Sequence, residues 1–223
     1  WGSDPTLGNG IRLVGPVAID LDSSGGAVVV DRDLDAVVRI DLATGDRRLR
    51  ATDTRGAGID LQLPSGLVLD DKGETAFVVD EQLGWLLAVD LESGDRSFLA
   101  GGRLGDGVPF DAPGDLALDA AGARVLVASR TPSALVAVDL ASANRTTVTE
   151  PLATTTGSVA PLAVALDAPR GRAILSDDGL LEVVNLTSGT RAPLSQRCPP
   201  GATLDAEGVA RVIATAPGGD HLY

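Results

Sequence analysis

The sequence predicts an all-β protein, a β-propeller of four-stranded antiparallel blades, and three observations predict it. The first is an internal repeat. Prolines at positions 16, 64, 113, 161 and 199 are each followed, five and six residues on, by Leu-Asp: Leu21-Asp22, Leu69-Asp70, Leu118-Asp119, Leu166-Asp167 and Leu204-Asp205. The second is a landmark in mid-unit, RIDLATGDR (39–47), AVDLESGDR (88–96), AVDLASANR (137–145) and VVNLTSGTR (183–191). The third is the texture between landmarks, where short apolar runs alternate with turn residues at roughly ten-residue spacing, as strands do in an all-β fold.

Each unit therefore holds four strands. Strand A follows the proline (VAIDLD, GLVLD, DLALD, LAVALD), and strand B is AVVVD, TAFVVD, RVLVAS or RAILSD. Strand C ends in the Asp-Leu landmark, and the turn after it sends strand D back. Strands A to C are almost continuous Val, Leu and Ala, as expected of strands covered on both faces. Four strands in about 40 to 50 residues is the pattern of a propeller blade. An α-solenoid of similar period is excluded, because no 3.6-residue apolar rhythm is present and Gly and Val occupy the places of helix formers.

A single domain over residues 1–223 is expected, with blades starting near 16, 64, 113 and 161 and a partial fifth near 199. Residues 1–15 read as the end of a preceding strand D and its D–A loop. Trp1 falls inside a strand D and Tyr223 inside a strand C, so the ring has five blades if these residues are all of it. It has six to eight if the chain is an excerpt of a larger protein or assembly, the expectation favoured here.

Composition narrows the function. There are 18 basic and 31 acidic residues, a formal charge of −13, which repels a nucleic-acid backbone. Of the acids 25 are Asp, whose short side chain closes turns. No apolar run is long enough to span a membrane. Trp1 at the start and the absence of Met fit a cleaved signal peptide or a piece of a longer chain, hence an extracellular or periplasmic location. Cys198 is alone, as is His221, which excludes an internal disulfide, the usual zinc ligand sets and a Ser/His/Asp constellation.

One stretch invites a phosphate-loop reading, LGDGVPF at 104–110. It aligns with LGNGIRLVGP (7–16) and RGAGIDLQLP (55–64) in register with the blade prolines. A motif in three blades belongs to the blade, as the D–A loop, and no helix follows to bind phosphate.

Blades of the form G-x-G-x-x-F-x-x-P-x-x-[LV]-x-[LV]-D-x-x-G-x-x-x-V-x-D resemble the NHL-like propellers and the wider group with the YWTD propellers and the senescence-marker-protein/gluconolactonase family. The resemblance runs blade by blade over nearly the whole chain. The gluconolactonase-like enzymes would place a divalent metal on the axis, held by Glu, Asn or Asp at or just after the blade prolines. Here those positions are Val17, Ser65, Gly114 and Leu162, none a hard-cation ligand, and Asp115 stands one residue off.

Candidate sites are few. Asp31, Asp33 and Asp35 have calcium-loop spacing but lack the Gly and late Glu of an EF-hand, and Asp31 recurs as Asp80 and Asp177, where the resemblance implies an acid tying the B–C turn. The Leu-Asp acids recur too regularly for one catalytic group and read as turn formers. Arg47, Arg96, Arg145 and Arg191 are expected to pair with acids across the blade edge. Trp85 is unique to its blade and is either a partner contact or an inter-blade filler. Asn144 and Asn185 fit the glycosylation pattern. The main expectation is a non-catalytic secreted module that binds a protein or glycan or serves in structural assembly, with no cofactor beyond a possible Ca²⁺. The alternative is a metal-dependent lactonase or esterase-like hydrolase of the gluconolactonase type with ligands partly outside this chain.

Overall fold

The structure is a computed structural model that describes residues 8–149, 163–177 and 180–194. Its contacts divide the chain into two compact units, Trp1–Ala100 and Gly101–Tyr223. In the first unit one sheet is β1 (Pro16–Leu21), β2 (Gly26–Asp31), β3 (Ala36–Asp41) and β4 (Arg47–Ala51). The next is β5 (Pro64–Leu69), β6 (Thr75–Asp80), β7 (Trp85–Asp90) and β8 (Arg96–Gly101). The second unit holds β9 (Pro113–Asp119), β10 (Arg124–Ser129), β11 (Ala134–Asp139) and β12 (Arg145–Thr147). Its other sheet is β13 (Ala163–Asp167), β14 (Arg172–Asp177), β15 (Leu180–Asn185) and β16 (Arg191–Pro193), with a 3₁₀ turn at Ala168–Arg170. Every sheet is an antiparallel meander in chain order, so strands A to D fall where the repeat places them. The expected partial fifth blade, with Cys198, Asp205 and His221, lies outside the described residues.

The blade proline opens strand A, where its missing N–H costs no ladder bond. Pro16, Pro64 and Pro113 pair with Asp31, Asp80 and Ser129, and the register shifts just beyond each of them. The acid opposite the proline ties the approach of the chain to the B–C turn. Asp31 accepts from the N–H groups of Val14 (2.7 Å), Gly15 (2.9 Å) and Leu34 (3.1 Å). Asp80 accepts from Gln62, Leu63 and Leu83 in the same manner. Both carboxylates are fully buried, a position that an acid tolerates only when donors surround it.

The core lies between sheets within each unit. Val28, Val30 and Val37 pack against Leu67, Val78 and Leu87 in the first, and Leu126 and Leu135 against Val164 and Leu175 in the second. All six residues of β2 are buried, the outcome expected for strands covered on both faces.

The recurrent arginines depart from expectation in part. Arg96 and Arg145 are buried and serve mainly the carbonyls around the Gly-x-Gly loop, while Arg96 Nη2 also pairs with the exposed acid Asp60 at 3.0 Å. Arg96 Nε donates to the carbonyl of Ile59 (2.5 Å) and its Nη1 to those of Thr52 and Arg55 (2.7 Å each). Arg145 donates to Val108 (2.7 Å), Leu104 (2.5 Å) and Gly105 (3.1 Å), and Arg47 reaches Ile11 and Gly8 likewise. The loop needs these donors because it lies along strand D as an extra edge segment, bridged in parallel at Gly10–Arg47, Gly58–Arg96 and Gly107–Arg145, where its carbonyls would otherwise be unpaired. Arg191 binds the buried Glu182.

Candidate functional site

The β1–β2 turn, strands β3 and β4, and the β5–β6 and β7–β8 turns line an open pocket of about 500 Å³ in the first unit. The β1–β2 turn is closed by Asp22, whose Oδ1 accepts from the N–H groups of Ser24 and Gly26, both 2.9 Å. Its Oδ2 accepts from Arg39 Nε at 2.6 Å, and Arg39 Nη2 donates to Ser24 Oγ at 2.5 Å. The Arg39 guanidinium beside it holds the Asp22 carboxyl far below the usual range, against a smaller opposing effect of burial. Arg39 is thus neutralised and fixed in the pocket wall.

Strand β4 supplies two further cations, Arg48 and Arg50. Arg48 stands directly across from Arg39 in the β3–β4 ladder, an arrangement of like charges that destabilises a sheet. Arg50 is the extra residue of a bulge, since Val38 pairs with Leu49 and Val37 with Ala51, and a bulge re-aims the side chain that it carries. Arg50 Nε is enclosed and has no hydrogen-bond partner. Burial lowers the Arg50 pKa first, and the charges of Arg39, Arg55 and Arg48 lower it further. Arg55 is held above it by bonds to the carbonyls of Arg50 (2.9 Å) and Glu92 (3.3 Å). Lys72 reaches the pocket from the β5–β6 turn, and Glu74, Asp90 and Glu92 line the same wall.

These arginines break the repeat. Where blade one has Arg39, the other blades have Ala88, Ala137 and Val183, and where it has Arg48 they have Ser97, Thr146 and Ala192. Arg50 corresponds to Leu99, Val148 and Leu194.

No protein-family profile and no curated protein matches the chain. Solved structures do. A structure of the nidogen/laminin complex is similar over 93% of this chain and 70% of the other, at 17% identity and a TM-score of 0.69. Hydrazine synthase of Kuenenia stuttgartiensis is similar over 87% of this chain and 53% of its own, at 13% identity and a TM-score of 0.60. The extracellular domain of a proposed one-component system of B. thetaiotaomicron follows at 80% and 22%, 11% identity and a TM-score of 0.56. With four consecutive four-stranded meanders, this likeness decides the fold. The chain is a β-propeller.

The propeller disperses the residues that the sequence singles out. Asp31 spends both carboxylate oxygens on backbone N–H groups. Asp33 packs beside Gly15, and Asp35, at a positive φ of 47°, has its pKa raised by burial and by the charges of Asp80, Asp53 and Asp33. Among the described residues no three His, Cys, Asp or Glu side chains converge as a metal group. Asp115 lies on β9, where its Oδ2 accepts from the Val164 N–H at 3.0 Å. Burial pushes its pKa up to about 6, although that bond opposes the rise. Trp85 is half-buried on the first unit's core, its ring 4.7 Å from that of Phe98. Asn144 accepts from the Asp106 N–H of the Gly-x-Gly loop, and Asn185 from the Thr187 N–H of its own turn.

Sequence reasoning missed Arg39, Arg48 and Arg50. The signal was present as RRLR (47–50) in a strongly acidic chain, but only the ladder register shows that Arg39 shares their face.

Proposed function

We propose that this propeller is a non-catalytic binding module of the NHL- and YWTD-like kind, extracellular or periplasmic, that takes a protein or glycan partner. The arginine cluster of blade one carries this reading. A repeat surface is specific for a partner where it departs from its own repetition, and here the departure places Arg39 and Arg50, the latter with its Nε enclosed, on a pocket whose volume suits ligand binding. The neighbour solved as a nidogen/laminin complex supports a partner-binding role, and the neighbour described as an extracellular domain supports the location.

The test is a screen of the purified chain against a glycan array and against secreted-protein fractions, beside hydrolysis assays on simple lactones with Ca²⁺, Mn²⁺ and Zn²⁺. The reading expects a saturable partner and no metal-dependent turnover. Turnover without any partner would replace it with the hydrolase reading.

A further inference from the structure

We propose that the blade-one pocket binds the carboxylate of a hydroxylated sugar acid, a hexuronate unit. This inference rests on the binding-module reading and deepens it. Arg50 supplies the first argument, because a buried guanidinium Nε without a partner, crowded by three other arginines, lacks the anion that would stabilise it. A planar fork of this kind recognises carboxylate or phosphate through paired N–H bonds. The wall decides between the two. Glu74, Asp90 and Glu92 line it too, so a dianionic phosphate meets about twice the repulsion that a single carboxylate does.

The lining also describes the rest of the ligand. Leu91 is the one large apolar side chain in it, which disfavours an apolar acid. Glu74 and Glu92 are exposed acceptors suited to sugar hydroxyls, and Ser23 adds a hydroxyl of its own. A volume of about 500 Å³ lies within the range of small-ligand sites, ~300–1,000 Å³. The ligand is therefore a polyol bearing one carboxylate, either free or as a unit of an acidic glycan.

Calorimetry on the full chain tests this with glucuronate, galacturonate and oligogalacturonate, beside glucose and glucose 6-phosphate. Saturable binding of a uronate and none of glucose is expected, with Arg50→Gln weakening it at least ~10-fold, the loss of a charge-assisted pair. Lys72→Gln, on an exposed turn, is expected to weaken it about threefold and serves as the second variant. Arg50→Gln is expected to keep or raise Tm, because it removes an unpartnered cation. Binding of the monomers identifies a free sugar acid, and binding of the oligomer alone identifies a glycan unit. The proposal is overturned if no uronate binds, if Arg50→Gln binds as well as the parent, or if the sugar phosphate binds more tightly. A partner from the screen whose binding ignores Arg50→Gln would leave the binding module standing and remove this site from it.

Discussion

Arg96 recurs because its guanidinium replaces water around three loop carbonyls at once, those of Ile59, Thr52 and Arg55. Arg96→Ala takes the donor from the Ile59 carbonyl and one donor each from those of Thr52 and Arg55, which keep their mutual backbone pair, and releases Asp60, a cost of about 2 kcal/mol. Arg96→Lys recovers only part because an ammonium cannot fork. Urea denaturation of both variants checks the order. The repeat made Arg96 visible and an acid partner, Asp60, expectable, but not its three carbonyl partners, since backbone carbonyls are silent in a sequence. Asp115 behaves in the opposite sense to an ion-paired acid. Its folded pKa of about 6 stands above the ordinary 3.8, so the native chain holds a proton that the unfolded chain has released. That contribution is complete below 3.8 and is lost as pH rises through the folded value. Asp115→Asn is therefore expected to be more stable than the parent at neutral pH by about 2–3 kcal/mol, an advantage that vanishes below about pH 4.

Loops and turns carry the repeat at the next scale. Gly58 adopts a φ of +104°, and a Cβ there would lie 1.9 Å from the carbonyl oxygen of Arg96. Gly58→Ala is expected to cost at least ~1–3 kcal/mol in backbone strain, and calorimetric melting would register it. The four C–D turns close alike, through Asp41, Asp90, Asp139 and Asn185, each accepting from the N–H groups two and three residues on. Blade four shows that an amide oxygen suffices, so Asp139→Asn should leave Tm nearly unchanged and Asp139→Ala should lower it. Strands and turns of this sort were legible because every blade repeats them. The bulge at Arg50 was not, since its cause is a shift in pairing between Val37 and Val38 that the residue types do not announce.

Across the whole molecule, charge sets the conditions under which the fold is strongest. Arg39 lowers the pKa of Asp22; for Asp167 burial acts upward, but Arg172 and Arg170 outweigh it. Both contribute stability that is present above the ordinary carboxylate pKa and is lost as pH falls through their lowered values. Asp115 and the net charge of −13 act from the other side, so thermal stability is expected to peak at about pH 4 to 5. Added salt recovers the part lost to repulsion at neutral pH, but not the part due to Asp115. Against that acidic background the three blade-one arginines are the molecule's clearest departure from its own repeat. The most direct measurement replaces the two of them that do not pair with Asp22 by residues that other blades use, Arg48→Ser and Arg50→Leu together, keeps Arg39 as the partner of Asp22, and repeats the partner screen and the melt on one preparation. Lost partner binding with Tm kept or raised is the predicted result. A folded variant that binds its partner unchanged would contradict the account.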